Sequence, residues 1–302
     1  MSPRKNDALA RLAAVEALVC RDVGRQTGEL MAATSGSLAA AARSLAGARS
    51  VGFITGFFVP RAAAPAAETD GPGGTALLAA ALAACGVPAR IAVDTPSAAV
   101  VRAAVDAAAQ DVALDEVTVA GHADIERTIA AWDAAGISHA VSIERCGRSQ
   151  DGRPRNMRGA DVSAWTAPLE DLFLAGSWAR IAVGDGGNEI GMGRLPAELI
   201  ARTVPNGASI ACIVPCDHLI VAGVSNWGAY GLMAGLAVVR PQWRTAIGRF
   251  LTAERDRDVT RAMVEKAGAV DGVTARPEAT VDGLGPEIHG ALIEQLARIA
   301  VG

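Results

Sequence analysis

Short apolar runs alternate with longer stretches of helical spacing along most of this chain. We predict strands at 50–56, 90–94, 117–120, 139–144, 179–183, 209–214 and 218–222. We predict intervening helices at 75–85, 98–109, 125–135, 168–174, 197–202 and 227–239. Strands that alternate with helices are typical of βαβ units, in which strands pair in parallel and helices cover the sheet. The sequence therefore predicts an α/β fold with a mostly parallel sheet flanked by helices.

The chain of 302 residues is long enough for one large α/β domain. Residues 6–46 carry leucine and valine at helical spacing, which predicts an N-terminal helical pair. The C-terminal part is predicted to form two helices around a loop with glycine and proline. We find no internal repeat and no low-complexity linker. We therefore predict a single α/β domain over 1–302, with N-terminal helices in 1–48 and a Rossmann-like core with C-terminal helices in 49–302.

Composition excludes several classes of function. The net charge of −4 and the lack of a basic segment argue against nucleic-acid binding. Lys5 and Lys266 are the only lysines, so a pyridoxal-phosphate or phosphate-loop lysine has almost no candidate. The five cysteines have no framework spacing and are expected to be ordinary thiols.

The sequence also bears on location and partners. No apolar signal region opens the chain and no apolar run is long enough to span a membrane. We expect a cytoplasmic protein with a small-molecule substrate and without a membrane or nucleic-acid partner. Whether copies of the chain form a homo-oligomer is left open.

A glycine-rich run at 184–193 follows the predicted 179–183 strand. It contains five glycines in ten residues, together with Asp185, Asn188 and Glu189. Glycine weakens regular helix and strand, so such a density indicates close backbone approach or positive φ angles. The run fits neither the dinucleotide fingerprint nor the phosphate loop. It is the first candidate for an active site.

Other polar segments also follow or flank predicted strands. Asp70 and Gly71 precede a helix, so Asp70 could cap it, or the glycine-rich helix start could bind an anion. The loop from Glu144 to residue 159 holds five arginines, including Arg145 and Arg148, whose forked guanidinium groups suit carboxylates. In open α/β sheets ligands bind beyond the carboxyl ends of the strands, where these segments are predicted to lie.

Four motifs occur in a fixed order along the chain. They are Glu68-Thr-Asp-Gly-Pro, Glu144-Arg-x-Gly-Arg-x-x-Asp-Gly, Gly184-Asp-Gly-Gly-Asn-Glu-Ile-Gly-Met-Gly and Ala222-Gly-Val-Ser-Asn-Trp-Gly. Together they resemble the catalytic domain of the D-glutamate cyclase family, from about residue 50 to the C-terminus. One departure is the segment Arg153-Pro154-Arg155, where the family pattern has an aromatic residue before Asn156.

The resemblance implies a carbon–oxygen lyase (a hydro-lyase) that cyclises D-glutamate to 5-oxo-D-proline with loss of water. Such a site needs a base near the amine, an acid or cation at the γ-carboxyl group, and an anchor for the α-carboxylate. Two alternatives stay open: a non-catalytic binding module for a small anionic metabolite, and a related enzyme that acts on another acidic amino acid, for example a racemase. A cysteine-based racemase would need two thiols on opposite faces of the substrate.

Asp185 and Glu189 could divide the acid and base roles. Alternatively Asp185, Glu189 and Asp217 could hold a divalent cation, Mg²⁺ or Mn²⁺, although no cofactor is demanded. The predicted catalytic residues are Asp185, Asn188, Glu189 and Asp217. The predicted substrate-binding residues are Asp70, Gly71, Glu144, Arg145, Arg148, Gly186, Gly187, Ser225 and Asn226.

We also predict how the site is arranged. Asp70, Glu144, Asp185 and Asp217 should each lie beyond the carboxyl end of a different strand and face one crevice. So many carboxylates repel one another, and we therefore expect an arginine of the 144–159 loop, Arg145 or Arg148, within hydrogen-bonding reach of one of them.

Overall fold

The computed structural model describes residues 3–109 and 111–301, with side chains from residue 6 onward. The strands in these residues are β1 (Val51–Thr55), β2 (Phe58–Val59), β3 (Ala66–Ala67), β4 (Ala89–Asp94), β5 (Ala113–Val117), β6 (His139–Ile143), β7 (Ala179–Gly184) and β8 (His218–Val221). Six of the described strands form a parallel sheet in the order β5-β4-β1-β6-β7-β8, and β2 and β3 form a separate antiparallel pair.

The helices lie between these strands and at both ends of the chain. They are α1 (Pro3–Val19), α2 (Gly28–Ala33), α3 (Ser37–Leu45), α4 (Pro72–Ala84), α5 (Thr95–Ala108), α6 (His122–Ala134), α7 (Leu169–Ala175), α8 (Ala197–Thr203), α9 (Gly207–Ile210), α10 (Ser225–Val239), α11 (Arg244–Gly248), α12 (Ala253–Ala267) and α13 (Pro286–Val301). Short 3₁₀ turns occur at Ser163–Trp165 and Pro241–Trp243.

Helices cover both faces of the sheet, which explains why β1 and β6 are buried along their whole length. Alternate side chains of β1 enter different cores. Phe53 packs with α4, α5 and α10 on one face, whereas Ile54 packs with α6, α7 and α8 on the other. The predicted α/β class, with a parallel sheet flanked by helices, is confirmed.

One predicted strand, 209–214, is wrong. Its first residues belong to α9, and the rest is an extended segment that lies along the glycine-rich run: the N–H of Cys212 donates to the carbonyl of Gly187, and the N–H of Gly191 donates to that of Val214. The segment is apolar because it is buried under this run. Short apolar runs do not distinguish a strand from another buried segment. Strand β5 also lies earlier than the predicted 117–120.

Three described helices, rather than two, occupy the N-terminal region. The predicted second helix is broken between α2 and α3, where Gly36 has a φ of +84°. Helices α1 and α3 pack on α10, at the face of the sheet that α10 covers. The single domain stays a prediction, and its predicted residues 1, 2, 110 and 302 lie outside the described residues. Among the described helices, none combines the length and the apolar character needed to cross a membrane.

The strand order places a crevice at the centre of the sheet. From β1 the chain continues outward to β4 and β5, then returns to β6 on the other side of β1. The connections leaving β1 and β6 therefore diverge at their carboxyl ends, and ligands bind at such a switch point in open α/β sheets. Gly56 and Glu144 follow these two strands directly.

Candidate active site

The loop after β7 is folded around the carboxylate of Glu189. Its Oε1 accepts hydrogen bonds from the backbone N–H groups of Asp185 (2.9 Å) and Gly186 (2.6 Å), and its Oε2 accepts one from Gly187 (2.7 Å). Glu189 is fully buried. Both oxygens are thus satisfied by charge-assisted bonds within the loop. Gly186 and Gly187, which we predicted to bind substrate, thus donate their N–H groups to Glu189.

Glycine is required in this loop because its backbone packs closely against the sheet. Gly191 has a φ of +102°, and a Cβ atom there would lie 2.1 Å from the Cβ of Ala182 in β7. Any larger residue would push the loop away from the strand. The excess of glycine in the sequence therefore reflects a loop held tightly against the carboxyl end of β7.

Helices α4 and α10 cap each other at this edge. The carboxylate of Asp70, just before α4, accepts hydrogen bonds from the N–H groups of Ser225 (2.9 Å) and Asn226 (2.8 Å) at the start of α10. The side-chain oxygen of Asn226 accepts bonds from the N–H groups of Gly71 (3.0 Å) and Gly74 (2.7 Å) at the start of α4. Each residue caps the other's helix, so both helix starts are fixed beside the glycine loop. The N–H of Gly71 is consequently used within the protein.

Glu144 stands between these helix starts and the glycine loop. It is buried, it has a φ of +45°, and its Oε2 accepts a hydrogen bond from the Ser225 hydroxyl at 2.6 Å. Gly71 has no side chain here, and a Cβ atom on it would lie 2.6 Å from the Cβ of Glu144. A left-handed backbone at a non-glycine residue is costly, and such residues concentrate at functional sites. Glu144 is therefore a candidate for the chemistry of the site.

Arg25, in the segment between α1 and α2, supplies a cation to the site. Its Nη1 lies 2.5 Å from Oδ1 of Asp185, and its Nη2 pairs with Oδ1 of Asp282. Asp22 fixes the turn that presents Arg25, because its carboxylate accepts the N–H groups of Gly24, Arg25 and Gln26. The first and last parts of the chain are thereby joined to the glycine loop.

Asp282 reaches the site from a loop between α12 and α13. Asp271 is fully buried and holds that loop, since its Oδ2 accepts bonds from the Thr280 hydroxyl and the Gly283 N–H, both at 2.7 Å. Asp282 has a φ of +57°, so a second acidic residue of the site has a left-handed backbone.

Five carboxylates thus gather around one arginine. They are Glu68, Asp70, Glu144, Asp185 and Asp282. Burial raises the pKa of Glu144 well above its usual range, and the neighbouring charges of Glu189 and Asp70 raise it further. Burial also raises the pKa of Glu68, Asp70 and Asp185, although Arg25 opposes the shift at Asp185. At neutral pH this cluster holds protons or attracts a further cation.

A cavity of about 360 Å³ opens onto this cluster. Its acidic lining consists of Glu68, Glu144, Asp185, Glu189 and Asp282, beside Arg25. Its apolar lining consists of Phe57, Phe58, Val59, Pro60, Met157, Pro205 and Val273. Two exposed arginines, Arg61 and Arg158, complete it toward solvent. The volume suits a small metabolite, and the lining offers charges of both signs.

The predicted position of Asp217, beyond the carboxyl end of a strand and facing the crevice, is wrong. Asp217 precedes β8, and its carboxylate accepts the N–H of Arg180 in the first part of β7. It therefore lies at the amino edge of the sheet, opposite the cavity, and it is exposed to solvent. The error follows from the wrong strand at 209–214, which placed Asp217 after a strand instead of before one. Asp70, Glu144 and Asp185 do lie together at the carboxyl edge.

The prediction that Arg145 or Arg148 would meet one of these carboxylates is also wrong. Arg145 is buried and its Nη1 pairs with Asp94 at 2.5 Å, while Nη1 and Nη2 donate to the main-chain carbonyls of Gly56 and Ala167. Arg148 pairs with Asp171 at 2.6 Å, on α7. Neither arginine lines the cavity. Arg25 takes the place that we had predicted for them.

Asn188 connects the glycine loop to the arginine-rich loop. Its Nδ2 donates to the carbonyl of Arg155 at 2.8 Å, and its side chain lines the cavity. Cys146 is buried nearby, and burial raises the pKa of its thiol. Within the described residues, all five cysteines are free thiols and none lines the cavity. A racemase with two opposing thiols is not supported by this arrangement.

Three residues of the site were missed by sequence reasoning. Glu68 belongs to one of the four motifs but was not selected, and Asp282 lies in a Val-Asp-Gly-Leu-Gly segment that resembles an ordinary turn. Arg25 lies in a polar segment between two predicted helices, with no local signal beyond its flanking Gly24. A motif search can find the first of these, whereas the other two depend on long-range contacts.

Comparison with known proteins agrees with the motifs. A family model described as "D-glutamate cyclase-like, C-terminal" matches residues 15–297. The chain is 35% identical over 246 residues to "D-glutamate cyclase, mitochondrial" of Homo sapiens. This alignment covers 77% of the chain and 39% of the human protein, so the chain spans about two fifths of that relative.

Proposed function

This chain belongs to the D-glutamate cyclase-like family, and we propose that it is a lyase that cyclises D-glutamate to 5-oxo-D-proline with loss of water. The observation that carries the proposal is a single cavity whose lining combines buried carboxylates of raised pKa with arginines near solvent. A ligand with one ammonium group and two carboxylates fits this distribution of charge.

Cyclisation replaces a carbon–oxygen bond of the substrate with a carbon–nitrogen bond and moves two protons from nitrogen to oxygen. The substrate amine attacks the γ-carboxyl carbon, two protons leave the nitrogen, and one γ-oxygen departs as water. A single carboxyl group that accepts and returns protons can serve both ends of this transfer. A carboxyl whose pKa lies above its usual range is suited to this near neutral pH.

We assign this role to Glu144. Its Oε2 is occupied by the Ser225 hydroxyl, but no described residue donates a hydrogen bond to its Oε1. Glu144 lines the cavity, and burial raises its pKa. Glu189, the residue that we predicted to share this role with Asp185, has both oxygens bound by backbone N–H groups. Glu189 would instead hold the loop on which Asp185 and Asn188 stand.

Arg158 is our candidate anchor for the α-carboxylate. It lines the cavity near solvent, and its guanidinium group makes no hydrogen bond or ion pair with a described residue. A free guanidinium fork binds a carboxylate in a bidentate manner. Arg61 is less available because it already donates to the carbonyls of Gly272 and Val273.

The proposal is tested by incubating the protein with D- or L-glutamate, with and without Mg²⁺ or Mn²⁺, and following 5-oxoproline by chiral chromatography. We expect 5-oxo-D-proline from D-glutamate. Glu144→Gln should lower the rate at least a hundredfold, since it cannot exchange the proton. Glu170→Gln is the matched control, because Glu170 is a buried glutamate outside the cavity lining.

The absence of product from either enantiomer under every condition would end the cyclase proposal. D-glutamate that binds without turnover would support the alternative of a binding module for an anionic metabolite. The name of the human relative places that protein in mitochondria. For this chain, a cytoplasmic location stays a prediction.

A further inference from the structure

Three carboxylates of the site are arranged as ligands for a metal ion. Asp70, Asp185 and Asp282 each offer one oxygen, and these three oxygens lie within 4.8 Å of one another. We propose that they bind a divalent cation of the Mg²⁺ or Mn²⁺ type. This set differs from the one predicted from the sequence, which contained Glu189 and the distant Asp217.

Two oxygens in this cluster lack partners. Oδ2 of Asp185 and Oδ2 of Asp282 are buried and accept no hydrogen bond from a described residue. The side chains of Asp185 and Asp282 are 2% and 4% exposed, and both line the cavity. Buried acceptors are nearly always satisfied, and leaving a charged one unpaired is costly. These two oxygens therefore point to a ligand that the protein itself does not supply.

Arg25 orients this pair of carboxylates. It binds Oδ1 of Asp185 and Oδ1 of Asp282, which leaves Oδ2 of each available. A partner on the outer oxygen commonly fixes the orientation of a metal-ligating group. Asp70 is fixed in a different way, by N–H donors of α10 and of Gly71, and its Oδ2 accepts only one of these bonds. Three ligands from distant parts of the chain are thus held in place.

A second group of acids, Glu144, Asp185 and Glu189, is equally close but is less suited to a cation. Three N–H donors occupy the oxygens of Glu189, and a hydroxyl occupies Oε2 of Glu144. The group with Asp70 and Asp282 contains two buried oxygens without a partner, whereas the group with Glu144 and Glu189 contains one, Oδ2 of Asp185.

Geometry and charge favour a small, hard cation. With Mg–O distances of about 2.1 Å, adjacent ligands lie about 3.0 Å apart and opposite ligands about 4.2 Å apart. The three oxygens, which lie within 4.8 Å of one another, would therefore move closer together when the ion binds. Carboxylate oxygens are the ligands that Mg²⁺ and Mn²⁺ prefer. The ion would offset the negative charge that Arg25 alone does not balance. With three protein ligands, positions would stay open for water or substrate toward the cavity.

The binding proposal rests on the carboxylate geometry, and only its use in catalysis rests on the proposed function. Asp185 is shared by both acid groups, so the ion would lie next to Glu144. There it would supply positive charge at the γ-carboxyl oxygens, in addition to the protons that Glu144 transfers.

The experiment titrates the chelator-treated protein with Mn²⁺ and measures free Mn²⁺ by electron paramagnetic resonance, with calorimetry as a second readout. We expect one site per chain, competed by Mg²⁺, and a rise in melting temperature on binding. Asp282→Asn and Asp185→Asn should each weaken Mn²⁺ binding at least tenfold. Asp256→Asn is the control, since Asp256 is buried outside the cluster and contacts Tyr230.

The lack of saturable Mn²⁺ binding by folded wild-type protein would overturn this inference, whatever the variants do. Unchanged affinity in a folded Asp185→Asn or Asp282→Asn variant would overturn the ligand assignment. Mn²⁺ binding without 5-oxoproline formation would leave the metal site standing and remove the cyclase. Full activity in excess chelator would leave the cyclase standing and remove the use of the ion in catalysis.

Discussion

Two segments of this chain carry arginines near the carboxyl edge of the sheet, and they use them differently. The loop at 145–158 has five arginines, and four of them pair with carboxylates outside the cavity. The segment between α1 and α2 places a single arginine, Arg25, between two carboxylates of the cavity. The local density of arginine therefore does not locate the cation of a site. Which arginine serves the site is decided by the carboxylates that the fold brings next to it.

The largest effect should come from Arg25→Met. This change leaves Asp185 and Asp282 buried without their cation, and breaking a buried ion pair costs about 3–5 kcal/mol. We expect that loss in the free energy of unfolding by urea, together with at least a hundredfold loss of 5-oxoproline formation. Arg25→Lys should recover part of both, because it keeps the charge but not the fork.

Arg153→Met is the control from the other segment, where Arg153 is exposed and pairs with Asp161. An exposed pair contributes little, so the free energy of unfolding should change by less than about 0.5 kcal/mol. Equal stability of Arg25→Met and Arg153→Met would contradict the difference that we draw between the two segments.

A second prediction distinguishes a buried arginine that is needed only for stability from one that is also needed for turnover. Arg145→Met should also cost about 3–5 kcal/mol, because Asp94 is left buried and unpaired. Arg145→Met with Asp94→Asn should recover much of that stability and retain turnover. Arg25→Met with Asp185→Asn should stay inactive even where stability returns. The measurement is a double-mutant cycle for each pair, with unfolding in urea and turnover assayed in parallel. Loss of turnover in the Arg145→Met, Asp94→Asn variant would place Arg145 in the site.

The third prediction uses pH, to which the two segments should respond in opposite directions. Burial raises the pKa of Glu144, so the folded protein keeps a proton that the unfolded chain releases above its ordinary pKa of roughly 4. The free energy of unfolding should therefore fall as pH rises from about 5 to 8. Glu144→Gln should reduce this slope in urea unfolding at a series of pH values.

In the arginine-rich loop the sign is reversed. A hydrogen bond from Arg155 lowers the pKa of Asp151 to about 2, so its small contribution is present above pH ~4 and lost as pH falls toward 2. Asp151→Asn should leave the slope between pH 5 and 8 unchanged. A wild-type stability that rises between pH 5 and 8 would show that Glu144 is not protonated in the folded state.

The smallest effect concerns Arg158, the one arginine of its loop that lines the cavity. Arg158→Ala should raise KM for D-glutamate about tenfold, equivalent to ~1.4 kcal/mol, with little change in kcat or stability. Arg153→Ala provides the control. A fall in kcat at constant KM would mean that Arg158 does not anchor the substrate.

Much of the fold could be predicted from the sequence. The strands and helices of the core have clear periods. The run 209–214 was assigned to the wrong element, since a short buried run has no distinguishing period, and β5 lies earlier than predicted. That one error moved Asp217 from the amino edge to the carboxyl edge. Asp70 was predicted as a possible cap of the helix that follows it, yet its carboxylate caps the start of α10, which no local pattern distinguishes from capping α4.

By itself, the sequence determined the α/β class, the edge of the sheet where the site lies, and the acids Asp70, Glu144 and Asp185 within it. These follow from hydrophobic periods and from the positions of polar residues after strands, which are local properties. Only the tertiary structure decided that Glu189 is bound by backbone N–H groups while Oδ2 of Asp185 lacks a partner. It also decided that Arg25 and Asp282 complete the cluster from opposite ends of the chain. The availability of a carboxylate oxygen depends on donors that folding brings from far along the chain, and residue type and spacing carry no record of them.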